Sequence, residues 1–421
     1  MNYPVIRNDL IRVHVENAAH LAQQRMWLTG APQARLTDIY ETDQRLGGNL
    51  RYLKLAGAVA VDMAAEVFAT DPEMGEAVVY AALSMQAGQP KFAADILGQM
   101  EGEAAAITAL AEAFRHVDRA AQRTTFYAWI SHEDPQLVCA ALGAATLLRL
   151  NLKDLLLPLI ADPRPAVQAA AFEHLGVMGL VQHGPAVLGA LGHKDAGLAF
   201  AAAVAAVRLG HAPAARQLVE YITADLPPGK CRLAVEVGFP MLPEEAAHAK
   251  VRALLADDAT IRWGLLALGS IGSTRTLPYL LRQMEQVNTM RMAGWAFAMI
   301  TGANIAEDDL ELDAFPECED DPLLEGAAEE LFFEDGLPFP DVKRVTQWLI
   351  TKGKALSAEH PLLFGLPQWT WADMDSPDLE FQARYRALAQ MIAVRHADRR
   401  LPDWQGPVRL QAGRLTRDWQ M

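Results

Sequence analysis

Between residues 131 and 302 the chain repeats itself, and this limits the folds open to it more than any other feature. Six segments align on an apolar anchor: Val138, Val167, Leu198, Cys231, Ile261 and Met290. Successive anchors lie 29, 31, 33, 30 and 29 residues apart. The clearest copies are ADPRPAVQAAAFEHLGVMG (161–179), LADDATIRWGLLALGSIG (255–272) and QVNTMRMAGWAFAMITG (286–302). Each opens on turn formers: Asp162-Pro163, Asp257-Asp258 or Asn288. Asp or Asn ahead of a helix can accept from its free N–H groups, and Pro fits a first turn that needs no donor there. Small and large apolar residues follow at helical spacing. A glycine then ends the helix at Gly179, Gly210, Gly272 and Gly302, where a left-handed residue without a Cβ is favoured.

A second helix fits before the next copy, as in LKDLLLPLIA (152–161) and STRTLPYLLRQMEQ (273–286). One such hairpin cannot bury its apolar face alone, and stacking supplies the missing surface. The expected fold is therefore all-α: a HEAT-like α-solenoid with a helical N-terminal cap and an irregular C-terminal region. Four parts are expected. Residues 1–130 form an N-terminal helical region, with segments at 10–27, 36–40, 46–55 and 59–68 and a turn at Gly88-Gln89-Pro90. Residues 131–302 hold the repeats of about 30 residues. Residues 303–342 form an acidic loop segment. Residues 343–421 form a C-terminal helical region with an Arg-rich tail, including a helix at 341–353, a loop at 360–371 and a last amphipathic helix at 377–395.

The net charge of −15 comes from one place. Residues 307–341 hold fifteen Asp or Glu and no Lys or Arg, which leaves thirty-seven acids against thirty-seven bases elsewhere. A protein that grips a phosphate backbone carries a basic surplus, so no nucleic-acid partner is expected. The longest charge-free apolar stretch, 196–207, is too short to span a bilayer, and the first fifteen residues lack the apolar run of a signal peptide. Cys139, Cys231 and Cys318 form no paired motif, in keeping with a reducing compartment. These features point to a cytoplasmic protein without a membrane partner.

No Walker loop, dinucleotide fingerprint, nucleophile elbow or zincin helix is present, so no catalytic residue, cofactor or metal ligand is assigned. LGSIGS (268–273) lacks the Lys-Ser/Thr ending of a phosphate loop and sits where a repeat turns. His14, Glu16 and His20 share the first helix without a third ligand. His132-Glu133-Asp134 and His193-Lys194-Asp195 fall at equivalent inter-repeat turns. The candidate partner-binding residues are the apolar side chains set among the carboxylates, Phe315, Leu323, Leu324, Phe332 and Phe333, together with Trp369 and Trp371 in a loop. Aromatic residues of this kind anchor interfaces. The acidic run should not pack alone, because like charges repel. Two ways out are open: contact with Arg384, Arg386, Arg395, Arg399 and Arg400 of the tail, or capture of a basic partner.

The order of several blocks resembles an uncharacterised bacterial HEAT-repeat protein family encoded near type VI secretion components. The blocks are HVENAAHLAQQR (14–25), LTDIYETDQRLGGNLRYLKLAG (36–57), MRMAGWAFAMITGANI (290–305), LPFPDVKRVTQWL (337–349) and HPLLFGLP (360–367). They extend over nearly the whole chain. The family has no established reaction, so the resemblance implies a setting and not a mechanism. The reading that follows is a non-catalytic protein-binding scaffold or adaptor that handles an effector or its carrier. The alternatives are an immunity protein that binds a toxin, a structural subunit, or an enzyme on a helical-repeat scaffold.

Overall fold

The structure is a computed structural model that describes residues 7–314, 316, 333–334, 336–353, 356, 360–367 and 401. It is all-α. The helices of the first part are α1 (Asn8–Gly30), α2 (Leu36–Ala56), α3 (Ala58–Thr70), α4 (Met74–Ala87), α5 (Phe92–Gln99), α6 (Glu103–Ala113) and α7 (Arg119–Ile130). The repeats give α8 (Pro135–Leu147), α9 (Leu156–Ile160), α10 (Pro165–Met178), α11 (Gly184–Gly189), α12 (Ala196–Arg208) and α13 (Pro213–Glu220). They continue through α14 (Pro228–Gly238), α15 (Glu244–Leu254), α16 (Ile261–Ile271), α17 (Leu277–Gln283) and α18 (Val287–Thr301). After the acidic segment comes α19 (Val342–Lys352). Among the described residues there is no strand, only isolated bridges at Glu311–Pro340 and Leu363–Leu366.

The helices stack in two rows. A central row runs α1, α4, α6, α8, α10, α12, α14, α16, α18, each packed on the next. The shorter helices flank it, α9 on α10, α11 on α12, α15 on α16 and α17 on α18. Every repeat anchor lies in the central row. Val138, Val167, Leu198, Cys231 and Met290 are buried and Ile261 is half-buried. Small side chains let neighbours approach, and the inner helices α8, α12 and α18 are apolar nearly all round, as fully enclosed helices are. In α18 every residue from Met292 to Thr301 is buried. The four closing glycines have φ of +65°, +92°, +76° and +78°, the left-handed conformation expected at helix ends.

The helix starts differ in detail from the expectation. Asp162 and Asp257 accept from the N–H of Arg164 and Ala259, two residues on, and so build side-chain turns ahead of the helix. Asn288 already lies inside α18. The true side-chain caps are Asp134, which accepts from Gln136, and Asp195, which accepts from Leu198. At both, the N–H of the Asp donates to the Nδ1 of a His two residues earlier, His132 or His193, at 3.0 Å. These histidines thus brace the turns.

The stack has no break at residue 130. One apolar core runs from Ile11 to Phe364. Segments 36–40 and 46–55 are one helix, α2, which packs on α1, α3 and α4 as an addition to the two rows. The turn that leads into it reaches the far end of the stack. Pro32 and Gln33 share a small cleft with Trp295, Asn304, Ile305 and Leu337, and Arg35 pairs with Glu307.

Residues 360–367, read from sequence as a loop, do turn, but they are held. The Leu362 N–H donates to Gly272 O at 2.7 Å, the Phe364 N–H to Met299 O at 2.5 Å and the Gly365 N–H to Ile300 O at 3.1 Å. Gly272 and Gly302 permit this approach. A Cβ on Gly272 would overlap the Leu362 carbonyl oxygen, and one on Gly302 would lie 2.7 Å from Phe364 O. Farther along, the Leu401 N–H donates to Val177 O at 2.8 Å, and Arg149 Nε donates to Leu401 O at 2.9 Å.

Candidate partner-binding site at the acidic segment

The acidic segment is bound to the solenoid at both ends. On the way out, Leu310 is buried, and the Leu312 N–H donates to Phe339 O at 2.8 Å. On the way back, the Asp341 N–H donates to Leu310 O at 2.7 Å. Asp341 then caps α19 by accepting from Lys343 and Arg344. Charge repulsion at this base is relieved by cations from elsewhere in the chain. Arg344 contacts Asp313 at 2.7 Å, Asp309 at 3.4 Å and Asp341 at 3.7 Å. Lys352 contacts Asp308 at 3.3 Å, Arg262 contacts Glu334 at 3.7 Å and Arg35 pairs with Glu307. Asp313 is the leading influence that raises the Arg344 pKa, through a hydrogen bond and then its charge, with Asp309 and Asp341 adding to it. Asp309 and Asp313 nonetheless keep 92% and 85% of their side-chain surface, so much of this charge still faces solvent.

Phe333 is not an exposed anchor. It is 3% accessible, its ring meets Trp295 edge-on at 5.6 Å, and the Arg232 guanidinium lies 3.8 Å over its face. It therefore fastens the returning end of the segment. Phe315, Leu323, Leu324, Phe332, Trp369 and Trp371 lie outside the described residues, as do Arg384, Arg386, Arg395, Arg399 and Arg400 and the helix read at 377–395.

The other polar features of the sequence serve packing. His14 Nδ1 meets Asn49 Oδ1 at 2.7 Å, and its ring rests 4.2 Å from Tyr52. Glu16 faces Arg12 at 4.0 Å. Among the described residues no cluster of His, Cys, Asp and Glu is arranged to hold a metal ion. The 268–273 segment ends α16, as a repeat turn should.

Sequence patterning missed one cluster. Arg25 of α1 reaches Asp43 of α2 at 2.6 Å and Glu112 of α6 at 3.8 Å. Glu112 also meets Arg115 at 2.7 Å, and all four side chains are largely buried. Lys54 Nζ donates to the His116 carbonyl at 2.7 Å. Burial first, then Arg25, Arg115 and Lys54, push the His116 imidazole down to about 3. Burial likewise raises the Cys139 thiol to about 11, so it is no activated nucleophile. The members of the charge cluster are up to ninety residues apart in sequence, which hides them from any local motif. The cluster fixes α2 against α1 and α6.

No family model and no curated protein matches this chain. Among the described residues no helix is long and apolar enough to cross a membrane.

Proposed function

We propose that this chain is a non-catalytic protein-binding scaffold, HEAT-like in its repeats, that captures a basic partner through residues 315–332. The supporting observation is the fixed base of the acidic segment. The outgoing and returning ends are joined to each other by main-chain bonds between Leu312 and Phe339 and between Asp341 and Leu310, and the returning end is fastened to the repeats by buried Phe333 on Trp295 and Arg232 and by the contact of Arg262 with Glu334. A segment carried on a rigid scaffold is a usual place for recognition. The eighteen residues between these anchors include seven carboxylates and no cation. At a Debye length of ~8 Å, such charges mainly speed and orient the encounter, and apolar groups then hold the complex. The resemblance suggests the setting: a bacterial cytoplasm and a type VI secretion effector or its carrier.

The test replaces 315–332 with a Gly/Ser linker of equal length and leaves Phe333 and the base intact. The variant qualifies for the comparison when it melts cooperatively, as a two-state chain does. Partner capture from the native host should fall at least about tenfold, equivalent to about 1.4 kcal/mol. Equal capture by both chains would defeat the proposal. The captured protein also separates the two settings, since a toxin indicates immunity and a secretion component indicates an adaptor.

A further inference from the structure

We infer that the groove across the C-terminal ends of α16 and α18 is a peptide-binding site, filled in this structure by the chain's own residues 362–366. Its ligand in trans would be a short uncharged apolar segment with an aromatic–glycine turn. This site touches the base of the acidic segment only through Trp295, which also meets Phe333, and does not depend on the reading given above.

The recognition chemistry is that of helix ends. The last carbonyls of a helix lack partners within it. Here Met299 O, Ile300 O and Gly272 O receive the N–H groups of Phe364, Gly365 and Leu362. Main-chain bonds of this kind accept many sequences, so selectivity must come from shape. Leu362, Leu363 and Phe364 are buried to 2%, 6% and 8% accessibility, and Phe364 meets the Trp295 ring at 6.4 Å. Leu363 and Leu366 exchange N–H and carbonyl bonds of 2.9 and 3.1 Å, closing a two-residue turn. Phe364 and Gly365 have φ of +48° and +83°. A turn with both central residues left-handed favours glycine at the second. No charged side chain lies between Pro361 and Pro367.

The receptor side is shaped to match. Gly272 and Gly302 leave open the space that the ligand's main chain enters, and a Cβ at either would block it. The main-chain bonds of Leu362, Phe364 and Gly365 run to the ends of two helices, and the side chains of Leu362, Leu363 and Phe364 join the apolar core there. A ligand attached in this way can be exchanged for another of the same chemistry. The tethered copy competes at an effective concentration in the millimolar range, so the free site is masked in the parent chain.

The experiment uses a labelled peptide of residues 360–367 and two full-length chains, the parent and Phe364→Asp, with binding read by fluorescence anisotropy. The variant, once shown to be helical and to melt cooperatively, should bind the peptide at least about tenfold more tightly than the parent. The same peptide carrying Phe364→Asp should bind neither. A folded variant that ignores the peptide, or binds both peptides equally, overturns the inference. Hydrogen exchange on the unaltered chain decides the matter if the variant fails to fold. The Leu362, Phe364 and Gly365 amides should exchange at least about tenfold faster than those in the middle of α18, as a locally opening segment does. Exchange at the same rate would make the segment part of the cooperative core and refute the site.

Discussion

Replacing Gly272 with alanine tests the close packing of the 360–367 segment more directly than any larger change. Two costs arise at this position. The φ of +76° is left-handed, and an L-residue there loses roughly 1–2 kcal/mol. The added methyl would also occupy the position of the Leu362 carbonyl, so the segment must withdraw. Withdrawal removes one main-chain hydrogen bond, net about 1 kcal/mol, and exposes a leucine side chain, about 1.5–3 kcal/mol. Backbone freedom regained by the released residues offsets part of this, at about 1–2 kcal/mol each. Gly88 is the control, because its φ is +70° and a Cβ there meets nothing within 4 Å. Gly88→Ala should therefore cost about 1 kcal/mol, and Gly272→Ala about 2 kcal/mol more. Urea denaturation gives the difference, provided the slope is unchanged. A cycle with Leu362→Ala should be non-additive, because the second change removes the group that the first displaces. Equal costs at Gly88 and Gly272, with full additivity in the cycle, would show that the segment contributes nothing at that contact.

Other expected outcomes follow from charge. Arg25→Ala leaves Asp43 and Glu112 buried without that cation and should destabilise by about 3–5 kcal/mol, whereas Arg344→Ala, whose acidic partners are mostly solvated, should cost under about 1 kcal/mol; a reversed order in urea midpoints would contradict the buried cluster. His116 is neutral in the folded state and takes a proton when unfolded below about 6.5, so its contribution is complete above that pH and is lost as the pH falls toward about 3. At pH 5 the parent should lose up to about 2 kcal/mol more than His116→Gln relative to pH 7.5, and parallel pH curves would refute this. Anisotropy with duplex DNA at ~150 mM salt should show no submicromolar binding, since bases outside the acidic run do not exceed acids.

The repeats were legible because anchor, helix and closing glycine recur in each copy, and each is a local signal. The single helix α2 reads in sequence as two segments, 36–40 and 46–55, because the polar run ETDQR (41–45) interrupts the apolar pattern, and Gly47 and Gly48 also lie within the helix. Its packing against α1 and α4 outweighs the roughly 1 kcal/mol that each interior glycine costs. Asp162 and Asp257 read in sequence as caps but form the preceding turn, since the same side chain can serve either purpose. In sequence Phe333 reads as a partner-binding anchor because its neighbours are acidic. Its contacts in space, Trp295 and Arg232, lie 38 and 101 residues away. The loop character of 360–367 was visible. Its hold on Gly272 and Met299 was not, because nothing within those eight residues names a receptor.

The contact between the α1–α2 turn and the end of α18 also bears on how the molecule comes apart. In an open array of repeats, the outermost members have a neighbour on one side only, so they fray first and unfolding travels inward by nearest-neighbour steps. Here Arg35 and Glu307 join positions 272 residues apart. Each terminal repeat thereby gains a second neighbour, and the array behaves less like a zipper than like a hoop. Loss of any one segment then strains the remainder. Unfolding should proceed as one event in which calorimetric and van't Hoff enthalpies agree.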